Sequence, residues 1–229
     1  MKFSGLQLTL LAASAILAIA YGACGSSLYE GAPPYVVGTI FKVSGIVILG
    51  VVALMARSRL LAAGLLFGAL GDALLAWSHE TFLYGSLAFL IGHLFYITLF
   101  IRSGVGDRGV LREPVRIAAM LAIAAAALVS TSMLVPRDSP MFAALGVYTF
   151  VLTLMTMSSF TLPWSRWLVM KGAVLFFISD GFVAWNMFHH DPDPTLAFWR
   201  SFAGWMIYWA GQAAICYGAL GLHKAPART

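Results

Sequence analysis

Eight runs of roughly 20 apolar residues follow one another in this chain, with only short polar connections between them. No other feature limits the fold as much. A run of that length crosses the hydrocarbon core of a bilayer as a helix, because lipid offers backbone amides no partner outside the segment itself. The runs fall at about 5–24, 35–55, 60–77, 82–101, 115–135, 141–160, 166–188 and 197–222. Composition agrees: 61% of residues are hydrophobic, 10% are charged, and mean hydropathy is +0.88. A spanning β-barrel would need short alternating segments, and the chain has none. The longest connection, 102–114, is basic and too short to fold alone. The expected fold is all-α: a polytopic membrane bundle of eight transmembrane helices, forming one integral membrane domain over residues 1–229.

The charges set an orientation. Lys2, Arg57, Arg59, Arg102, Arg108, Arg112, Arg116, Arg166, Lys224 and Arg228 fall on one side of an eight-crossing topology. Arg137 and Arg200 fall on the other, with Glu30, Glu80, Asp138, Asp191 and Asp193. Positive residues stay cytoplasmic, so both termini are expected inside, in a bacterial-type inner membrane. The net charge of +5 is a topology signal and implies no nucleic acid. Cys24 and Cys216 would lie toward opposite faces, so no disulfide is expected between them. The first run, with Lys2 before it and Ala20 to Cys24 after it, also resembles a signal peptide. We expect it to be retained as a helix.

Two carboxylates interrupt this apolar pattern. One sits in Gly71-Asp72-Ala73-Leu74-Leu75-Ala76-Trp77, the other in Ser179-Asp180-Gly181-Phe182-Val183-Ala184-Trp185. A charge inside a bilayer costs roughly 2.5–3.5 kcal/mol on insertion scales, so it faces the bundle interior or a wet cavity. At about 1.5 Å per residue, Asp72 lies roughly 8 Å, Lys42 roughly 10 Å and Asp180 roughly 12 Å from the outer helix ends. His93 and Tyr208 lie roughly 16 Å in. Lys171, near the inner end of the seventh run, can snorkel. The plain alternative is a buried hydrogen bond or an ion pair with Lys42. For Lys42 itself two roles stay open, counter-ion to an aspartate or ligand to a lipid phosphate. His93 and Tyr96 share one helix face, and so do Tyr208 and Gln212. Interhelical hydrogen bonds would account for them as well as a site would. His189, His190, Asp191 and Asp193 with His79 and Glu80 look metal-like, but the spacing matches no zinc pattern. They read as solvated loop, and no metal or cofactor is expected.

The matched aspartate motifs hint at an internal repeat. The third run would match the seventh, and Gly92-His93 would match Gly211-Gln212. That makes a four-plus-four parallel duplication.

Three function classes fit this chemistry: a lipid hydrolase, a proton- or ion-coupled carrier titrating the two aspartates, and a pigment-binding sensor. The sensor would want a Schiff-base lysine deep in the last helix, and Lys171 is not one. A carrier would favour helices broken by Pro or Gly around its acids, and neither aspartate helix contains Pro.

The chain resembles the YhhN-like lysoplasmalogenase family. The resemblance rests on Phe41-Lys42, Gly71-Asp72, the stretch Phe89 to Tyr96, Gly172 to Phe177 with Ser179-Asp180, and Tyr208 to Gln212. It spans nearly the whole chain. Family members carry Pro after the lysine, where this chain has Val43. The resemblance implies hydrolysis of the vinyl ether bond of lysoplasmalogens to a fatty aldehyde and a glycerophospho-headgroup. Asp72 and Asp180 would be catalytic. Lys42, His93, Tyr96, Ser179, Tyr208 and Gln212 would bind the lysophospholipid.

Overall fold

The computed structural model describes residues 3–28, 36–104, 113–189, 192–220 and 222, with backbone alone at 25–28 and 79. Lys2, Glu30, Arg108, Arg112, His190, Asp191, Lys224 and Arg228, which entered the charge and metal readings above, lie outside the described residues, as does the His79 side chain. Eight α-helices follow in order: α1 Gly5–Leu28, α2 Val36–Met55, α3 Arg59–Trp77, α4 Phe82–Gly104, α5 Pro114–Leu134, α6 Phe142–Ser159, α7 Trp167–Phe188 and α8 Pro194–Ala219. No strand occurs among the described residues. Seven of these helices, α1 to α7, are long and apolar enough to cross a membrane. With 26 residues α8 is the longest, but Arg200, Tyr208 and Gln212 make it more polar. The protein is therefore an integral, multi-pass membrane protein.

Local signals place the helix ends. α2 stops at Arg57, whose φ of 61° is left-handed. Ser58 N–H bonds Ala53 O at 3.0 Å and Arg57 N–H bonds Leu54 O at 2.8 Å, which closes a Schellman turn and allows α3 to start at once. α5 opens on Pro114 and α8 on Pro194, whose missing N–H costs nothing there. Asp193 caps α8, accepting from the amides of Thr195 (2.8 Å) and Leu196 (3.4 Å).

Two arginines that read as topology signals do more than that. Arg116 is 1% exposed in the first turn of α5 and donates to Phe160 O and Leu162 O, both at 2.6 Å, beyond the end of α6. Arg166 donates to Gly218 O and Leu220 O, both at 3.1 Å, at the end of α8. Each cation satisfies carbonyls left over at a helix C-terminus.

Consecutive helices pack as α1–α2–α3–α4 and α5–α6–α7–α8, with α4 against α6 and α8 against α1, α2 and α3. Glycines set the tightest crossings. A methyl group on Gly92 would lie 3.0 Å from Gly64 O, and one on Gly211 would lie 2.9 Å from Gly172 O and 3.0 Å from Phe176 N. Backbone meets backbone at these points, as close membrane packing requires. α1 is stitched in by polar contacts: Ser14 Oγ donates to Gly45 O (2.7 Å), Trp209 Nε1 to Ser14 Oγ (2.9 Å) and Trp205 Nε1 to Ala18 O (2.9 Å). Apolar side chains such as Leu121, Leu128, Met133 and Phe150 point outward. In a membrane protein that is the lipid face. No disulfide joins Cys24 to Cys216.

Candidate active site

Asp72 sits on the face of α3 that carries Gly64 and Gly68. The side chain is 3% exposed. Tyr208 of α8 donates its hydroxyl to Asp72 Oδ2 at 2.7 Å. Lys42 of α2 places Nζ 3.8 Å from Asp72 Oδ1. Behind Tyr208, Gln212 Nε2 donates to the Tyr208 hydroxyl at 3.2 Å, and Tyr96 of α4 donates to Gln212 Oε1 at 2.7 Å. Every member of this chain is buried apart from Lys42, which is half-buried. Each hydroxyl or amide therefore has a defined partner, as burial demands.

Asp180 on α7 is held differently. Tyr148 of α6 donates its hydroxyl to Asp180 Oδ2. The Tyr148 oxygen in turn lies 3.3 Å from His93 Nε2. A phenol has one hydrogen. With that hydrogen given to Asp180, His93 must donate through Nε2, which leaves Nδ1 as an acceptor. Nδ1 is buried and has no partner among the described residues. Asp180 Oδ1 has no protein donor within hydrogen-bond distance among them either.

An aromatic cluster holds the two branches apart. The Phe176 ring meets His93 edge-on at 4.9 Å and Tyr208 at 5.2 Å, and Phe89 closes on both Phe176 and Tyr208. Above the cluster lies a cavity of about 950 Å³. Asp72, Asp180, Lys42, Tyr148 and Tyr208 all lie on its wall, which draws on every helix and is otherwise mostly apolar. The wall also includes Tyr21, Leu134, Asn186 and Pro194. These residues lie at the helix ends joined by the α1–α2, α5–α6 and α7–α8 connections, so the cavity occupies that half of the bundle.

The structure thus gathers the sequence candidates into one region, in two tiers. Asp72, Asp180, Lys42, Tyr208 and Ser179 reach the cavity. His93, Tyr96 and Gln212 do not; they are 1%, 1% and 0% exposed behind the wall and are linked to it by hydrogen bonds that end on Tyr148 and Tyr208. Ser179 donates its hydroxyl to Phe176 O within its own helix, at 2.6 Å. Of the two roles open for Lys42, the contact with Asp72 favours the counter-ion. His189 stacks on Trp185 at 4.5 Å. Tyr148 is the residue that sequence reasoning missed. A tyrosine in an apolar helix costs little and marks nothing. Only its spacing ahead of Asp180, close to that of Lys42 ahead of Asp72, hinted at it.

Comparison with known proteins places the chain in a family. Lysoplasmalogenase TMEM86B of Mus musculus is 33% identical over 165 residues, covering 70% of this chain and 63% of that protein. The protein of the same name from Rattus norvegicus is 32% identical over 163 residues, covering 70% and 61%. The chain spans less than two thirds of the length of these curated relatives. No solved structure matches it significantly. The YhhN family profile matches residues 37–219, from the start of α2 to the last residue of α8. That span contains both aspartates, Lys42 and both tyrosine donors, and the chain belongs to the YhhN family.

Proposed function

We propose that this protein hydrolyses the vinyl ether bond of lysoplasmalogens, or of closely related lyso-ether lipids, releasing a fatty aldehyde and a glycerophospho-headgroup. One observation carries the reading: two carboxyl groups, each accepting a tyrosine hydroxyl, line one apolar cavity inside a membrane bundle. A vinyl ether is cleaved by proton transfer to its β-carbon, followed by capture of an oxocarbenium ion by water. One carboxyl donates the proton, and the other stabilises the cation or activates the water. Glycosidases divide the work between two carboxyls in the same way. A cavity of about 950 Å³ suits a single-chain lipid. The names of the mouse and rat relatives agree with the reading.

The orientation that fits is eight crossings with both termini cytoplasmic, so that the cavity opens toward the outer leaflet. The halves α1–α4 and α5–α8 are then a parallel duplication. The spacing of Gly64, Gly68 and Asp72 repeats in Gly172, Phe176 and Asp180. Gly92 meets Gly64 and Gly68 as Gly211 meets Gly172 and Phe176. These paired contacts support matching His93 with Gln212.

The test is aldehyde release from a lysoplasmalogen by purified protein in detergent. Asp72→Asn and Asp180→Asn should each reduce release by at least about a hundredfold while the protein still elutes as folded material. Activity kept in either variant would sink the assigned roles. A carrier would instead move substrate across sealed vesicles under a pH gradient and form no aldehyde.

A further inference from the structure

The two aspartates are equivalent by position and unequal by company. Lys42 precedes Asp72 by one helix, and Tyr148 precedes Asp180 in the same way. Further along these helices, Gly50 faces Leu66 with Leu65 beside it, while the Thr156 hydroxyl faces Ala173 O. To within a residue, that register sets Lys42 and Tyr148 at matching places in the two halves. Asp72 has a cation 3.8 Å from one oxygen and a hydroxyl donor 2.7 Å from the other. One oxygen accepts from Tyr208 and the other faces the Lys42 ammonium, so a proton on either would meet a donor hydrogen or a positive charge. Asp180 lies on the cavity wall with one neutral donor on Oδ2 and no donor to Oδ1 among the described residues. Arg200, on the neighbouring helix, is engaged with Asn186 Oδ1 at 2.7 Å and with the Trp185 ring at the cavity mouth.

Building on the hydrolase reading, the geometry points to Asp180 as the proton donor, aimed by Tyr148 with His93 behind it, and to Asp72 as the carboxylate held by Lys42 and Tyr208. Tyr148 is a positioning residue. It occupies Oδ2, so the acidic hydrogen sits on Oδ1 and points into the cavity. His93 fixes the Tyr148 hydroxyl by donating to its oxygen.

The reaction closes as a cycle. Asp180 gives its proton to the β-carbon; the π electrons of the C=C bond form the new C–H bond, and a lone pair of the ether oxygen forms the C=O bond of the oxocarbenium ion. Water adds to the carbon beside the ether oxygen and yields a proton to Asp72. The hemiacetal then breaks. Asp72 passes its proton to the ether oxygen, which leaves as the glycerol hydroxyl. The hemiacetal hydroxyl returns a proton to Asp180 as the aldehyde forms. One water is consumed, and both acids end as they began.

Infrared difference spectroscopy of the purified protein at neutral pH tests the assignment without needing turnover. The carbonyl band of a protonated carboxyl should vanish in Asp180→Asn, persist in Asp72→Asn, and shift to higher frequency in Tyr148→Phe. Lys42→Met should add a second such band as Asp72 takes up a proton. In the aldehyde assay, Tyr148→Phe should lower kcat about tenfold or more with KM within about threefold. A band lost in Asp72→Asn, or one unmoved in Tyr148→Phe, would overturn the assignment. The expected bands without any aldehyde from wild type would leave the pair as assigned and refute the hydrolase.

Discussion

Gln212 shows what a single residue does in this bundle. It is wholly buried, accepts from Tyr96 and donates to Tyr208, and so links α4 to the Asp72 branch through α8. Tyr96→Phe leaves Gln212 Oε1 without a donor, and the expected loss is about 1–3 kcal/mol. Gln212→Leu strands the Tyr96 hydroxyl and should cost about as much. The double variant should cost less than the two single losses combined, because no polar group in that pair is then left unmatched. Thermal unfolding in detergent, read as a double-mutant cycle, checks this; strict additivity would mean that the residues do not cooperate. Asp72, Asp180 and Lys42 were legible at this scale because each is costly in lipid and needs a reason to be there. Tyr148 was not legible, since its role exists only once α6 lies beside α7.

Elements are positioned by glycines and by their charged ends. Gly211→Ala pushes a methyl group against the backbone of α7 at 2.9–3.0 Å, and neither helix can yield cheaply. The expected loss is about 1–3 kcal/mol, together with reduced activity, because α7 carries Asp180 and α8 carries Tyr208. Gly146→Ala on α6 is the control. Nothing lies within 4 Å of that site, so helix propensity alone should stabilise it, by about 0.5–1 kcal/mol. Thermal stability of the two variants distinguishes them; equal shifts would refute the close crossing. At the base of α5, Glu113 accepts from Arg116 Nε at 3.0 Å and Trp164 Nε1 at 2.7 Å. The Arg116 bond, and then the Trp164 bond, hold its carboxyl below the ordinary glutamate range. A carboxyl lowered in the folded state contributes stability above the unfolded pKa and loses it as pH falls through the folded one. Acidification should therefore release the Trp164 indole, and Trp164 fluorescence should change over that acid range. In Glu113→Gln that transition should be absent. The apolar runs predicted every helix to within a few residues. The arginine caps were hidden, because a cation near a helix end looks the same in sequence whether it meets headgroups or a carbonyl.

For the whole molecule, the reading to test is its direction in the membrane. With both termini cytoplasmic, alkaline phosphatase fused in the 136–140 connection should be active, and fused after residue 160 it should be inactive. The opposite pattern would turn the cavity toward the cytoplasm. That the chain is a membrane helix bundle followed from the sequence alone, because the length and apolarity of each run decide whether it can satisfy its own backbone in lipid. The sequence also marked both aspartates and Lys42, since an ionisable group in such a run is conspicuous by its cost. Only the tertiary structure decided the company each aspartate keeps. Lys42 and Tyr208 meet Asp72, while Tyr148, backed by His93, meets Asp180. Two of those contacts, Tyr208 with Asp72 and His93 with Tyr148, join helices that are not neighbours in the chain, and all depend on how the helices cross. Such crossings leave no periodic trace in any one helix.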